Sequence, residues 1–299
     1  MATIFDRIST VWVRYDSYTV RIADNGKQYL TPAEDATPEI IDPLENAKKL
    51  VLDAINIGIM VMGHHPRQLI EQELIRFAGR YGLLGLMTAL PTTARFMDYS
   101  CVYLPKNDYI REESMETQAY TDLFFPFHKP TYRKEGDIVE WDLEDDLMMQ
   151  ALMLTFADSD TPIAMQMSFL RDYAEDMEWQ KKAFRSFAFN FLTVHYYYYN
   201  DPMFTDEKEK LRYVMGIFEG AAPTYHIALL DKPTIMWDFH SLLLGLQMML
   251  TFTITDPDSP IHLCKQCEKA FYASRQNQQF CSDRCRRYYR MRHHETDDE

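Results

Sequence analysis

Cys264, Cys267, Cys281 and Cys285 form two pairs, spaced Cys-x-x-Cys and Cys-x-x-x-Cys, with thirteen residues between them. A Cys-x-x-Cys turn presents two thiolates to one ion, and tetrahedral zinc then takes two more from a second element, across a spacer long enough to fold back. The spacer suits that return: "KAFYA" and "QQFC" read as short strands joined at "SRQN", with Phe271 and Phe280 as a miniature core. Ser282 follows as an N-cap, Asp283 lies in the first turn, and Cys285 stands four residues after Cys281, so a helix begins at the second pair. Knuckle, hairpin and ligand-bearing helix make a zinc ribbon or treble-clef-like module. Four thiolates close the coordination shell, so the expected Zn²⁺ is structural and not catalytic. Two disulfides or unligated thiols are the alternatives. A redox-exchange pair is disfavoured because no strand-turn-helix pattern precedes Cys264.

The helix past Cys285 concentrates positive charge. The candidate nucleic-acid-binding residues are Arg284, Arg286, Arg287, Tyr288, Arg290 and Arg292, with Tyr289 among them and His293 and His294 behind. At 100° per residue Arg286, Arg290 and His293 share a face, and Arg284 lies near Arg287. Guanidinium groups pair with phosphates or a guanine edge, and tyrosines stack on unpaired bases. The competing reading is electrostatic and local: four thiolates on Zn²⁺ leave a charge of −2, which nearby arginines offset.

The pattern "C-x-x-C-x-x-x-F … F-C-S-x-x-C-R" resembles the C-terminal zinc finger of the bacterial CGNR type, which follows a larger helical domain in transcription regulators. The likeness covers about 35 residues of the chain. After Cys285 this chain reads Arg286-Arg287-Tyr288 where the finger type reads Gly-Asn-Arg. The resemblance implies Cys264, Cys267, Cys281 and Cys285 as metal ligands and a DNA-binding role for the module.

The rest of the chain must carry and position that module. Residues 261–294 hold eight basic and two acidic side chains, whereas the whole chain of 299 residues has net charge −14. An acidic body repels a polyanion, so any nucleic-acid contact belongs on the module and is salt-sensitive. The body, residues 1–255, reads as mainly α with an N-terminal β-hairpin, α+β overall. Residues 256–260 read as a linker, 261–294 as the finger and 295–299 as an acidic tail.

Within the body, apolar and polar residues alternate on both sides of Asp24-Asn25-Gly26, the pattern of a hairpin. Helical spacing follows, with Leu44, Ala47, Leu50, Val51, Ala54 and Ile55 on one stripe, then a second helix behind Pro66. Periodicity fails from Pro91 to Trp141, where irregular structure with one or two strands is expected. Helical patterns resume over 143–157, 160–177, 178–199 and 206–220, and the run over 234–254 reads as a buried helix.

The N-terminus lacks the basic-then-apolar pattern of a secretory signal, and the longest apolar run, Leu242 to Ile254, is too short to span a bilayer. A cytoplasmic location is expected, and a reducing compartment favours metal over disulfides. No phosphate loop, nucleophile elbow or kinase signature is present, and no catalytic residue is assigned. His64 and His65 precede a proline at a helix start and read as loop residues. "HYYYYN", residues 195–200, reads as helix packing with a pocket wall as the alternative. The expectation is therefore a non-enzymatic regulator whose finger binds DNA or RNA and whose acidic body takes a small ligand or a protein partner. The alternative is an assembly protein with a purely structural finger.

Overall fold

The computed structural model describes residues 8–10, 12–85, 101–103, 114–128, 132–136, 138–141, 171–198, 207–216, 224–229, 231–239, 241–256 and 260–294. Short strands come first: β1 (Ile8–Ser9), β2 (Trp12–Tyr15), β3 (Tyr18–Ile22), β4 (Gln28–Pro32) and β5 (Pro38–Ile41). Helices α1 (Ala47–Met62) and α2 (Arg67–Tyr81) follow, then β6 (Cys101–Tyr103), β7 (Ser114–Glu116), α3 (Thr117–Phe124), β8 (Tyr132–Glu135), β9 (Ile138–Trp141) and β10 (Glu175–Asp176). The chain continues through α4 (Met177–Tyr198), α5 (Lys208–Gly216), β11 (Thr224–Leu229), β12 (Pro233–Asp238) and α6 (Leu242–Thr255). It ends in β13 (Ile261–Leu263), β14 (Ala270–Tyr272) and α7 (Asp283–His294). The architecture is an α+β mix of helices and small sheets. Among the described residues, no helix is long and apolar enough to cross a membrane.

Two compact units divide the chain, each assembled from separated segments. The first comprises Met1–Glu45, Glu71–Gln180 and Pro223–Leu243. Its hairpin forms where the alternation predicts: β3 pairs antiparallel with β4, from Tyr18 opposite Pro32 to Ile22 opposite Gln28. Gly26 takes φ +76° in the turn, and the Lys27 amide donates to Asn25 Oδ1 at 2.9 Å. β2 pairs instead with β5. Arg14 of β2 donates to the Gly79 and Arg80 carbonyls at the end of α2, covering acceptors that the last helical turn leaves open.

Two segments of this unit depart from the sequence reading. Residues 233–238 form a strand, not the start of a long helix: β12 pairs antiparallel with β11 and parallel with β1. Short apolar runs are ambiguous by periodicity, and here Thr234, Ile235 and Trp237 favour a pleated strand once a partner strand is available. Within the stretch expected to be irregular, α3 forms and buries Tyr120 and Phe124, one turn apart, against Phe125 and Tyr173. The helix expected over 143–157 and most of the one over 160–177 lie outside the described residues.

Glu175 is fully buried beside that aromatic cluster. Its carboxylate accepts hydrogen bonds from the Leu84 and Gly85 amides, the Tyr173 hydroxyl and the Gln180 side chain. Burial pushes its pKa up, and the four donors pull it back without cancelling the shift.

The second unit comprises Asn46–Ile70, Lys181–Ala222 and Leu244–Glu299. The predicted stripe of α1 is realised: Ala47, Leu50, Val51, Ala54 and Ile55 are all buried. So is Gly58, where the helix meets α4 closely. A Cβ there would collide with the Phe184 carbonyl and lie 2.5 Å from Ala188 Cβ. α4 contributes Phe184, Phe187, Ala188 and Phe191 to this core, and α6 contributes Leu246, Met249 and Leu250. Cys264, Cys267, Cys281 and Cys285 belong to this unit.

Candidate metal centre

The hairpin of the thiol module differs from the sequence reading, and the difference explains its geometry. β13 pairs with β14 from Ile261 opposite Tyr272 to Leu263 opposite Ala270, so the Cys264–Cys267 turn is itself the hairpin loop. "QQFC" runs alongside as a non-strand segment, with the Lys265 amide donating to the Gln279 carbonyl at 3.0 Å. The loop closes tightly. The Cys264 amide donates to the Lys269 carbonyl at 3.0 Å, the Glu268 amide to the Cys264 carbonyl at 2.8 Å, and Glu268 takes φ +57°.

The second pair is placed by the helix start. Ser282 Oγ accepts from the Cys285 amide at 3.2 Å, the expected N-cap bond, and α7 begins at Asp283. Phe271 and Ala273 pack with Cys264, and Phe280 and Cys285 close this miniature core.

All four sulfur atoms lie within 4.8 Å of one another. Cys267 Sγ is 3.7 Å from Cys281 Sγ, which is 3.5 Å from Cys285 Sγ. A disulfide needs about 2.05 Å, so these are free thiols; tetrahedral zinc with bonds of about 2.3 Å sets its sulfurs about 3.8 Å apart. The donors therefore fit one ion. Among the described residues, these four form the group of His, Cys, Asp or Glu side chains that converges on such a point.

The electrostatics agree. Burial raises the Cys264 thiol, but amide N–H groups of Cys281, Cys267 and Gln266 outweigh it and bring that thiol down to about 7. Cys281 is pushed up to about 12, first by burial and then by the neighbouring sulfurs of Cys285, Cys264 and Cys267. Burial likewise raises Cys267. The Cys264 thiolate is favoured and Cys267 and Cys281 resist ionisation beside it, so a full thiolate set calls for a compensating cation.

Asn56 of α1 anchors the module, and it is a residue that sequence reasoning missed. Its Oδ1 accepts from the Ala270 amide at 2.8 Å and its Nδ2 donates to the Ala270 carbonyl at 3.2 Å. The one available signal was a polar residue inside "AINIGIM". His262, buried on β13, hydrogen-bonds through Nδ1 to the Gln278 carbonyl at 3.0 Å, and its ring lies 6.3 Å from that of His195 on α4.

The arginine helix is exposed. Arg284, Arg286, Arg287, Arg290 and Arg292 all reach solvent, and Tyr288 is 47% exposed. Tyr289 instead packs on Phe280 with ring centroids 5.2 Å apart. Arg286 pairs with Asp283 at 3.4 Å, and the Arg284 guanidinium lies 5.5 Å from the Tyr288 ring. The side chains of His293 and His294 are outside the described residues. No protein-family model, curated protein or solved structure matches the chain.

Proposed function

We propose that the C-terminal module holds one structural Zn²⁺ through Cys264, Cys267, Cys281 and Cys285 and binds nucleic acid through α7, as a zinc-ribbon or treble-clef-like finger of a cytoplasmic, DNA-binding regulator. The observation that carries this reading is the convergence of four sulfurs within 4.8 Å at the root of a helix with five exposed arginines. Zinc suits an all-thiolate, tetrahedral donor set in a compartment that keeps thiols reduced. A segment this short has little apolar surface to bury, and metal binding supplies folding free energy in its place. The likeness to CGNR-type fingers points the same way, and the helical, acidic remainder is the part that takes a ligand or a protein partner.

Exposed arginines on one short helix give an acidic protein a local positive face for phosphates, with Tyr288 available to stack. The test is fluorescence anisotropy of the zinc-loaded chain with duplex DNA, single-stranded DNA and RNA across a salt series. Micromolar or tighter binding is expected, weakening steeply with salt. Arg286→Ala, Arg287→Ala and Arg290→Ala together should reduce the salt slope by about 0.9 for each phosphate that is no longer neutralised. Affinity unchanged in that triple variant would overturn the nucleic-acid role while leaving the zinc site standing.

A second reading, a purely structural clamp for assembly, is favoured by the Asn56 anchor and by the pairing of Arg286 with Asp283. It predicts that zinc loss changes oligomeric state or stability and that no nucleic-acid probe binds.

A further inference from the structure

A cavity of about 500 Å³ opens between α4, the end of α6 and the thiol module, entirely within the second unit. Its volume falls in the range of small-molecule sites. Phe191, His195 and Tyr198 stand four and three residues apart on α4, so one helical face delivers three rings to the same wall. The Phe191 and His195 ring centroids are 5.7 Å apart, which makes that wall a continuous aromatic surface. Thr253 and Asp256 bring a hydroxyl and a carboxylate from the end of α6, and Ile261 closes an aliphatic side.

Charge selects the occupant. Among the described lining residues there is a carboxylate and no Lys or Arg. A carboxylate beside aromatic faces attracts a cation twice over, through its own charge and through the ring quadrupoles. We propose that this cavity is a binding site for a small organic cation with an aromatic body, its ring against the α4 wall and its ammonium toward Asp256. The inference does not depend on the zinc or nucleic-acid reading.

The occupant would also touch the module. Pro260, Ile261 and Gln276 line the cavity, and Ile261 lies three residues before Cys264 on the strand whose next residue, His262, faces His195. A ligand there bridges α4 and the thiol hairpin and therefore stabilises their docking, since it binds the assembled arrangement alone.

Calorimetric titration of the full chain with 2-phenylethylamine tests the site, with 3-phenylpropanoate as the same body carrying the opposite charge. The amine should saturate one site with Kd on the order of 1 mM or tighter and raise the melting temperature, and the carboxylate should bind at least tenfold more weakly. Asp256→Asn should weaken the amine at least fivefold. Tyr198→Ala, at a position 72% exposed and therefore safe for folding, should weaken it severalfold. No saturable heat with the amine, equal affinity for both probes, or undiminished binding in either variant would overturn the proposal.

Discussion

Asn56 and Ala270, 214 residues apart in the chain, are joined by both halves of one side-chain amide. Asn56 donates to the Ala270 carbonyl and accepts from its amide, doing for β14 what a neighbouring strand would do. The thiol hairpin is thereby fixed to α1 by a polar clamp on its backbone, independent of the four sulfurs.

Removing that clamp should loosen the module without emptying it. Asn56→Ala strands a partly buried N–H and C=O, at a cost of about 1–3 kcal/mol. Asn56→Asp keeps the acceptor for the amide but sets a carboxylate oxygen against the Ala270 carbonyl in place of the donor, so it should not rescue the clamp. Hydrogen exchange at the Ala270 amide should accelerate in both, while uptake of the proposed single Zn²⁺ per chain should match the parent. Loss of zinc together with protection would mean that docking and metal binding are a single event.

Cobalt offers a direct reading of the donor set. Co²⁺ loaded in place of the proposed Zn²⁺ should show the intense visible bands of tetrahedral thiolate coordination, and Cys264→Ser or Cys285→Ser should weaken them and lower affinity. Chelation should reduce far-UV helicity, because α7 starts within the ligand set. Bands of octahedral oxygen coordination would exclude the four-sulfur site.

Gly58→Ala tests the packing of α1 on α4. Alanine gains about 1 kcal/mol in helix propensity. Its Cβ would strike the Phe184 carbonyl and Ala188, overpacking that costs about 1–3 kcal/mol or more. Backbone cannot yield as a flexible side chain does, so urea denaturation should show net destabilisation. A stabilised variant would show that the helices are farther apart.

Glu175 anchors four donors in the first unit, and Glu175→Leu leaves all of them buried and unmatched. Each stranded group costs about 1–3 kcal/mol, so this variant should fail to fold or should melt far below the parent. Glu175→Gln preserves shape and should be milder. A carboxyl whose folded pKa is raised binds its proton more tightly when folded, so its contribution falls as pH rises from the unfolded value through the folded one. The parent should therefore lose stability relative to Glu175→Gln over that rise, and parallel pH profiles would contradict the raised value.

What could be read from the sequence was local. Cysteine spacing, the Ser282 cap and the alternation around Asn25-Gly26 are each set by residues within a few positions of one another, where turn geometry and helix-terminus bonding decide the outcome. The stripe of α1 was legible for the same reason: a 3.6-residue period marks the buried face whatever covers it. The apolar run at 233–238 was not, because strand and helix bury such a run equally well until β11 and β1 supply partners. Nor could the order of residues show that Asn56 would meet the Ala270 backbone, that Gly58 faces Phe184, or that the Leu84 and Gly85 amides would reach Glu175. Those relationships depend on segments brought together across long stretches of chain. Likewise, "HYYYYN" declared four consecutive aromatic rings, but only packing decided that His195 and Tyr198 turn toward a cavity. The sequence by itself determined the thiol donor set and the sign of the charge on α7. Tertiary structure decided what holds the module in place and which side chains it shares a pocket with, because those relationships exist only once distant segments pack.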